Sequence, residues 1–123
     1  MSCIFCDIWK NKSIPKVYED DLMYIIKDLN PQAKLHYLMI PKEHYKDIIE
    51  MNEVQAVMLG KCVKKLSTLV DLLGLQDGFR LISNKGNNGC QSVNHLHIHI
   101  LGGEKLAENC NNKSEEKKWE TLK

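Results

Sequence analysis

Apolar positions recur along this chain with periods that assign most of the residues before Glu104 to elements. Val17–Tyr18 and Leu22–Lys27, on either side of the acidic turn Glu19-Asp20-Asp21, are β-favouring runs that predict a short hairpin. Leu35–Ile40 predicts a third strand. Pro31 and Pro41 fence it, because proline cannot donate a ladder hydrogen bond and biases its predecessor away from helix. Lys42–Glu50 predicts a short helix. Asn52 with Gln55 has the form of a capping box, and behind it Leu59, Cys62, Val63, Leu66, Leu69, Val70 and Leu73 recur at spacings of three and four. That pattern predicts one long amphipathic helix from Glu53 to Leu73, ended near Gly74. Phe79–Asn84 and Val93–Leu101 then predict two more strands, separated by Lys85-Gly86-Asn87-Asn88-Gly89, which is turn chemistry of the hairpin kind. This order predicts an α+β class with an antiparallel sheet.

No repeat, low-complexity block or Pro/Gly/Ser-rich linker interrupts the pattern, so one domain is expected over residues 1–104. Residues 105–123 turn to Lys, Glu and Asn and read as a polar carboxy-terminal tail. In it, Ser114 is placed to cap a last helical turn, with Trp119 and Leu122 on one side. At 123 residues, 43% hydrophobic and 27% charged, the chain has room for one core and no second domain. No apolar run reaches the ~18 residues of a membrane span, and the first residues lack the basic and apolar regions of a secretory signal. Seventeen Lys plus Arg against sixteen Asp plus Glu leave +1, which provides no single-sign field for duplex nucleic acid or an anionic membrane. A cytosolic or nuclear compartment is expected, in which the five cysteines are thiols or metal ligands and not a disulfide framework. Cys3 and Cys6 have the Cys-x-x-Cys spacing of a zinc half-site, which needs two further ligands.

The most informative stretch is Asn94-His95-Leu96-His97-Ile98-His99-Ile100-Leu101, with three histidines at alternate positions and aliphatic residues between them. Alternate residues of a strand share a face, about 6.6 Å apart, so the imidazoles line one side and Leu96, Ile98 and Ile100 the other. Packing alone does not explain three of the chain's five histidines on one strand face. Such a row can bind a transition metal, or one imidazole can act as nucleophile or base while its neighbours orient it. Ahead of it, Ser83-Asn84-Lys85-Gly86-Asn87-Asn88-Gly89-Cys90-Gln91-Ser92 supplies amides, hydroxyls and permissive glycines, which suit a phosphate better than a metal.

Together these residues resemble the histidine-triad nucleotide-binding family, in its Hint-like branch. The row His95-Leu96-His97-Ile98-His99-Ile100-Leu101 carries the resemblance. It is joined by Cys3-Ile4-Phe5-Cys6-Asp7-Ile8, Lys27-Asp28-Leu29-Asn30-Pro31-Gln32-Ala33, His36-Tyr37-Leu38-Met39-Ile40-Pro41-Lys42, Gln91-Ser92-Val93 and Leu101-Gly102-Gly103. The resemblance implies a five-stranded antiparallel sheet with one long and one short helix, the sheet continued across a homodimer. It also implies hydrolysis of the P–N bond of purine nucleoside 5'-phosphoramidates, AMP or GMP conjugates, through a nucleotidyl-histidine. By position, His97 matches the nucleophile, the backbone carbonyl of His95 the acceptor for its second nitrogen, and His99 a phosphate-holding group. Ser92 matches the hydroxyl that protonates the leaving group, and His36 a supporting histidine behind the triad. Asp28 matches the carboxylate that takes the ribose hydroxyls, Leu29 a nucleoside-pocket wall, and Asn84 an amide on the phosphate side.

The resemblance further implies a structural zinc on Cys3, Cys6, His44 and His95, with no metal required for catalysis. Departures from the better-studied members are Asn94 in place of an aromatic, Cys90 where glycine is common, and the longer polar tail. Three other readings compete. One is a dinucleoside polyphosphate hydrolase, against which stands Gln91-Ser92-Val93. The second is a non-catalytic nucleotide-binding scaffold, and the third a metal-buffering module using all three triad histidines, which would hold more than one zinc per chain.

Overall fold

The computed structural model describes residues 3–11 and 14–108. The elements run α1 (Ile4–Asn11), β1 (Tyr18–Glu19), β2 (Met23–Lys27), β3 (Leu35–Pro41), α2 (Glu53–Leu66), α3 (Val70–Leu73), β4 (Phe79–Ser83) and β5 (Ile98–Gly102). The strands form one five-stranded sheet in the order β1-β2-β3-β5-β4, antiparallel at every step. Ser114, Trp119 and Leu122 lie outside the described residues.

Both faces of the central strands are covered, which explains why β2 reads as a nearly continuous apolar run and does not alternate. On one face Met23, Ile25, Tyr37, Met39, Ile98 and Ile100 meet Cys62, Leu66, Leu69, Leu73 and Leu75 from α2, α3 and the segment after them. On the other, Tyr24, Ile26, Leu38 and Ile40 meet only Phe5 and Ile8 of α1, with Cys3, Trp9 and Val93 at the margin. Among the described residues, the short α1 packs on only part of this second face. His36 of β3 and His99 of β5 lie there, since alternate residues on a strand share a face.

Three expectations need correction, and one helix stands where none was expected. The Glu53–Leu73 helix breaks after Leu66. Ser67 Oγ and Thr68 Oγ1 donate to the carbonyls of Lys64 and Lys65 at 2.6 and 2.7 Å, and the N–H groups of Ser67, Thr68 and Leu69 turn to carbonyls three residues back. Hydroxyl side chains that compete for the carbonyls tighten the last turn, and the chain restarts as α3. The capping box at its start is formed: Asn52 Oδ1 accepts from the Gln55 N–H at 2.8 Å and Gln55 Oε1 from the Asn52 N–H at 2.9 Å.

Lys42–Glu50 is a chain of turns and not a helix. Asp47 Oδ1 takes the N–H groups of Ile49 and Glu50 at 3.0 and 2.9 Å, and the Tyr45 carbonyl takes the Leu96 N–H at 2.7 Å, so helical partners are diverted. The last strand begins at Ile98, not Val93, and residues 84–97 form a long excursion in place of a tight hairpin. Finally, the amino terminus carries the helix α1, which the Cys-x-x-Cys reading did not anticipate.

Candidate active site

The histidine row keeps its alternation although only His99 belongs to the strand. His95, at the end of a bend, and His97 precede β5 outside the sheet, and both are buried. Leu96, Ile98 and Ile100 still point into the α2-side core, so the three imidazoles share the opposite side. Two distant bonds hold this segment. Leu96 N–H donates to the Tyr45 carbonyl, and Gln91 donates to the carbonyls of Lys46 and Val93 while accepting from the Gly86 N–H. Cys90, next to it, sits at φ 58, the left-handed region in which glycine is unstrained.

The three triad side chains do three different things. His97 Nδ1 lies 2.8 Å from the His95 carbonyl oxygen, which can only accept, so Nδ1 carries the proton and Nε2 keeps a free lone pair. His99 Nδ1 lies 2.9 Å from His36 Nε2, and His36 Nδ1 accepts the Gln32 N–H at 2.9 Å. The chain of donors therefore has one consistent solution: His36 carries its proton on Nε2 and donates to His99 Nδ1, which leaves His99 with a donor at Nε2. Asp28 Oδ2 is 3.4 Å from His36 Nε2 and 3.9 Å from His99 Nδ1, while Oδ1 is tied to the Asn30 N–H at 2.7 Å. Burial, then the neighbouring His97 and His36, hold His99 below the usual histidine pKa, against an opposing pull from Asp28.

His95 turns the other way. Its Nε2 donates to the Pro41 carbonyl at 2.7 Å, so its bare Nδ1 points at Cys3 Sγ (3.4 Å), Cys6 Sγ (3.6 Å) and His44 Nδ1 (3.1 Å). His44 Nδ1 is also 3.5 Å from Cys6 Sγ. A tetrahedral ion with bonds of about 2.3 Å to sulfur and about 2.0–2.1 Å to nitrogen separates its S and N ligands by about 3.5 Å and its two N ligands by about 3.3 Å. The four donors match these spacings, and the set of two thiols and two imidazoles suits zinc. Burial, then the hydrogen bond and charge of Cys3, push the Cys6 thiol up, a penalty that a bound dication reverses. Asp28, His36 and His99 form a second group of metal-capable atoms, but their lone pairs already meet N–H groups.

The other expected residues are placed less centrally. Ser92 is exposed and lines a cavity of about 600 Å³ together with Cys3, Ile4, Asp7, His44, Val93 and Asn94. Asn84 is half-buried and directly follows Ser83, whose ladder partner Ile98 directly follows His97. Leu29, beside Asp28, is 97% exposed, an apolar side chain with no cover. The sequence reading gave no role to Phe5 as a side chain, yet its ring meets those of His95 and His97 edge-to-face at 5.9 and 5.0 Å.

Comparison with known proteins extends this picture beyond the histidine row. The HIT domain family matches residues 10–106. Protein HitA of Neisseria gonorrhoeae is 45% identical over 103 residues, covering 82% of this chain and 95% of that protein. A 14 kDa zinc-binding protein of Zea mays is 38% identical over 99 residues, 77% of each chain. The crystal structure of a HIT family hydrolase from Legionella pneumophila superposes with a TM-score of 0.81 at 34% identity, covering 89% of this chain and all of that one. The family match spans the whole sheet, α2, α3 and the segment before β5, so the chain belongs to the histidine triad (HIT) family and has the fold of its hydrolases.

Proposed function

We propose that the chain hydrolyses the P–N bond of purine nucleoside 5'-phosphoramidates, and related acyl-adenylates, to a nucleoside monophosphate. The observation that carries this reading is the 2.8 Å bond from His97 Nδ1 to the His95 carbonyl, which leaves Nε2 as a free neutral nucleophile. Nε2 attacks the α-phosphorus. As the P–Nε2 bond forms, the bond from phosphorus to the amine breaks, its electron pair stays on the amine nitrogen, and that nitrogen takes a proton from the Ser92 hydroxyl. Water then attacks the nucleotidyl-His97, breaks P–Nε2 and returns the imidazole. The proton that water gives up restores Ser92. The Nε2–H of His99 donates to the phosphoryl oxygens, where a well-aimed donor is worth about 2.7 to 4 kcal/mol. Asp28 takes the ribose hydroxyls, the exposed Leu29 is the apolar wall of the nucleoside pocket, and Asn84 donates on the phosphate side.

In the same reading Cys3, Cys6, His44 and His95 hold one structural zinc, which closes all four positions and ties α1 to the segment before β5. The maize relative's name supports the metal. The chain is further proposed to pair as a homodimer through the free edge of β4. Phe79 and Leu81 there face the α2 side yet are 40% and 38% exposed. A cytosolic or nuclear compartment suits thiol ligands kept reduced.

Release of AMP from a fluorogenic adenosine phosphoramidate, by wild type and by His97→Ala, both assayed in the presence of chelator, tests the enzymatic reading. Turnover by wild type that the variant loses by several orders of magnitude supports it. Wild type that binds AMP without turnover overturns it in favour of a nucleotide-binding scaffold, and faster cleavage of a dinucleoside polyphosphate would shift the substrate class.

A further inference from the structure

The bond from His97 to the His95 carbonyl fixes one atom of the nucleophile's ring but not the ring itself. An imidazole held at Nδ1 alone can still tilt about its Cβ–Cγ bond, and a half-turn, which breaks the Nδ1 bond, exchanges each nitrogen for a carbon. Two other rings bound that motion. His99 stands against His97 with centroids 5.2 Å apart and planes at 64°, and Phe5 stands against it at 5.0 Å and 74°. Both are edge-to-face contacts within the favourable range for aromatic pairs. Only one of the two rings has no acid–base chemistry of its own.

Phe5 is also unusually well anchored. It is 7% exposed, and it packs with Ile8 on Tyr24, Ile26, Leu38 and Ile40. Its carbonyl accepts the buried Tyr24 hydroxyl. In the sequence it stands between Cys3 and Cys6, the two thiols directed at His95 Nδ1, and its ring touches His95 as well as His97. The thiol pair thus faces the His95 ring while the Phe5 ring, between the two thiols in sequence, reaches both His95 and His97.

We propose that Phe5 is a positioning residue for His97: its ring, delivered by α1, closes one side of the imidazole and holds Nε2 on the attack line. This rests on His97 being the nucleophile, as proposed above. Misplacement of a reacting group by about 1 Å costs on the order of a hundredfold in rate. Loss of the ring is therefore expected to act on kcat and to leave KM and the metal in place.

Two variants test it. Phe5→Leu keeps apolar bulk without the flat edge, and Phe5→Ala removes both. In Phe5→Leu, kcat for the adenosine phosphoramidate is expected to fall about tenfold to a hundredfold, with KM within about twofold and the bound metal per chain unchanged. Nitrogen-15 NMR of the His97 ring gives the second readout: a single Nδ1–H tautomer in wild type and a mixture in the variant. Unchanged kcat and an unchanged tautomer in Phe5→Leu would overturn the proposal. So would a loss of kcat accompanied by loss of metal, which would make Phe5 a support for α1 alone. Should Phe5→Ala fail to fold, Phe5→Leu carries the test. Should wild type show no phosphoramidase activity, that reading falls while the tautomer measurement still decides the role of Phe5.

Discussion

Two clusters of metal-capable side chains lie along the same row of histidines, and they differ in where their protons are. At one end, Cys3, Cys6, His44 and His95 turn sulfur and nitrogen atoms toward a common point, and the proton of His95 is spent on the Pro41 carbonyl. At the other, Asp28, His36 and His99 are just as close together, but the Gln32 N–H and the His36 N–H fill the lone pairs between them. The first arrangement turns four bare donor atoms to one point, and the second is a self-sufficient relay ending in a donor. Proximity of ligand-type residues is therefore a poor guide to a metal site. The hydrogen bonds made by the far nitrogen of each ring decide it.

The comparison breaks most visibly at the thiol end. Cys6→Ser is expected to cost more metal affinity than the 10–100-fold typical of an outer-shell partner, roughly a hundredfold or beyond, and to lower the melting temperature, both read by metal analysis and a thermal melt. His36→Ala, at the other end, is expected to leave the bound metal at the wild-type level and to reduce kcat by about a hundredfold, because His99 then loses the partner that fixes its tautomer. If His36→Ala also sheds metal, the two clusters are not separate.

A smaller effect separates them by pH. Burial and the neighbouring His97 and His36 depress the His99 pKa, and Asp28 alone among the facing groups raises it. The unfolded value is about 6.5, so the stability that neutral His99 contributes is complete above that pH and is lost as pH falls through the lower folded value. Asp28→Asn removes the raising charge, and the His99 ring titration, followed by NMR, is expected to move to still lower pH. A shift upward would mean that the carboxylate does not face the relay.

The smallest expected change lies outside both clusters. Cys90→Gly relieves a side chain held at φ 58 and is expected to stabilise the fold by up to about 1 kcal/mol in urea unfolding, with metal and turnover unchanged.

The strands β2, β3 and β4 and the cap of α2 were legible because each rests on local pattern: apolar runs fenced by Pro31 and Pro41, and the Asn52–Gln55 exchange. The alternation of the histidines was legible too, but its element was not. The residues before Ile98 pass through a bend and are held by bonds to Tyr45 and Lys46 instead of by a neighbouring strand. The break at Ser67-Thr68 and the turns at Asp47 depend on side chains taking backbone partners, which an apolar period does not register. At the site, the Cys-x-x-Cys half was visible by spacing, whereas His44 and His95 came only from family resemblance. Phe5 was hidden because its contacts lie about ninety positions away along the chain.

The nucleophile itself is best tested by trapping. Wild-type enzyme mixed with a stoichiometric adenosine phosphoramidate, quenched rapidly in alkali and mapped by mass spectrometry, is expected to carry adenylate on His97 that decays as AMP appears. AMP release with no adduct on His97, or adduct on a different residue, would contradict the proposed mechanism directly.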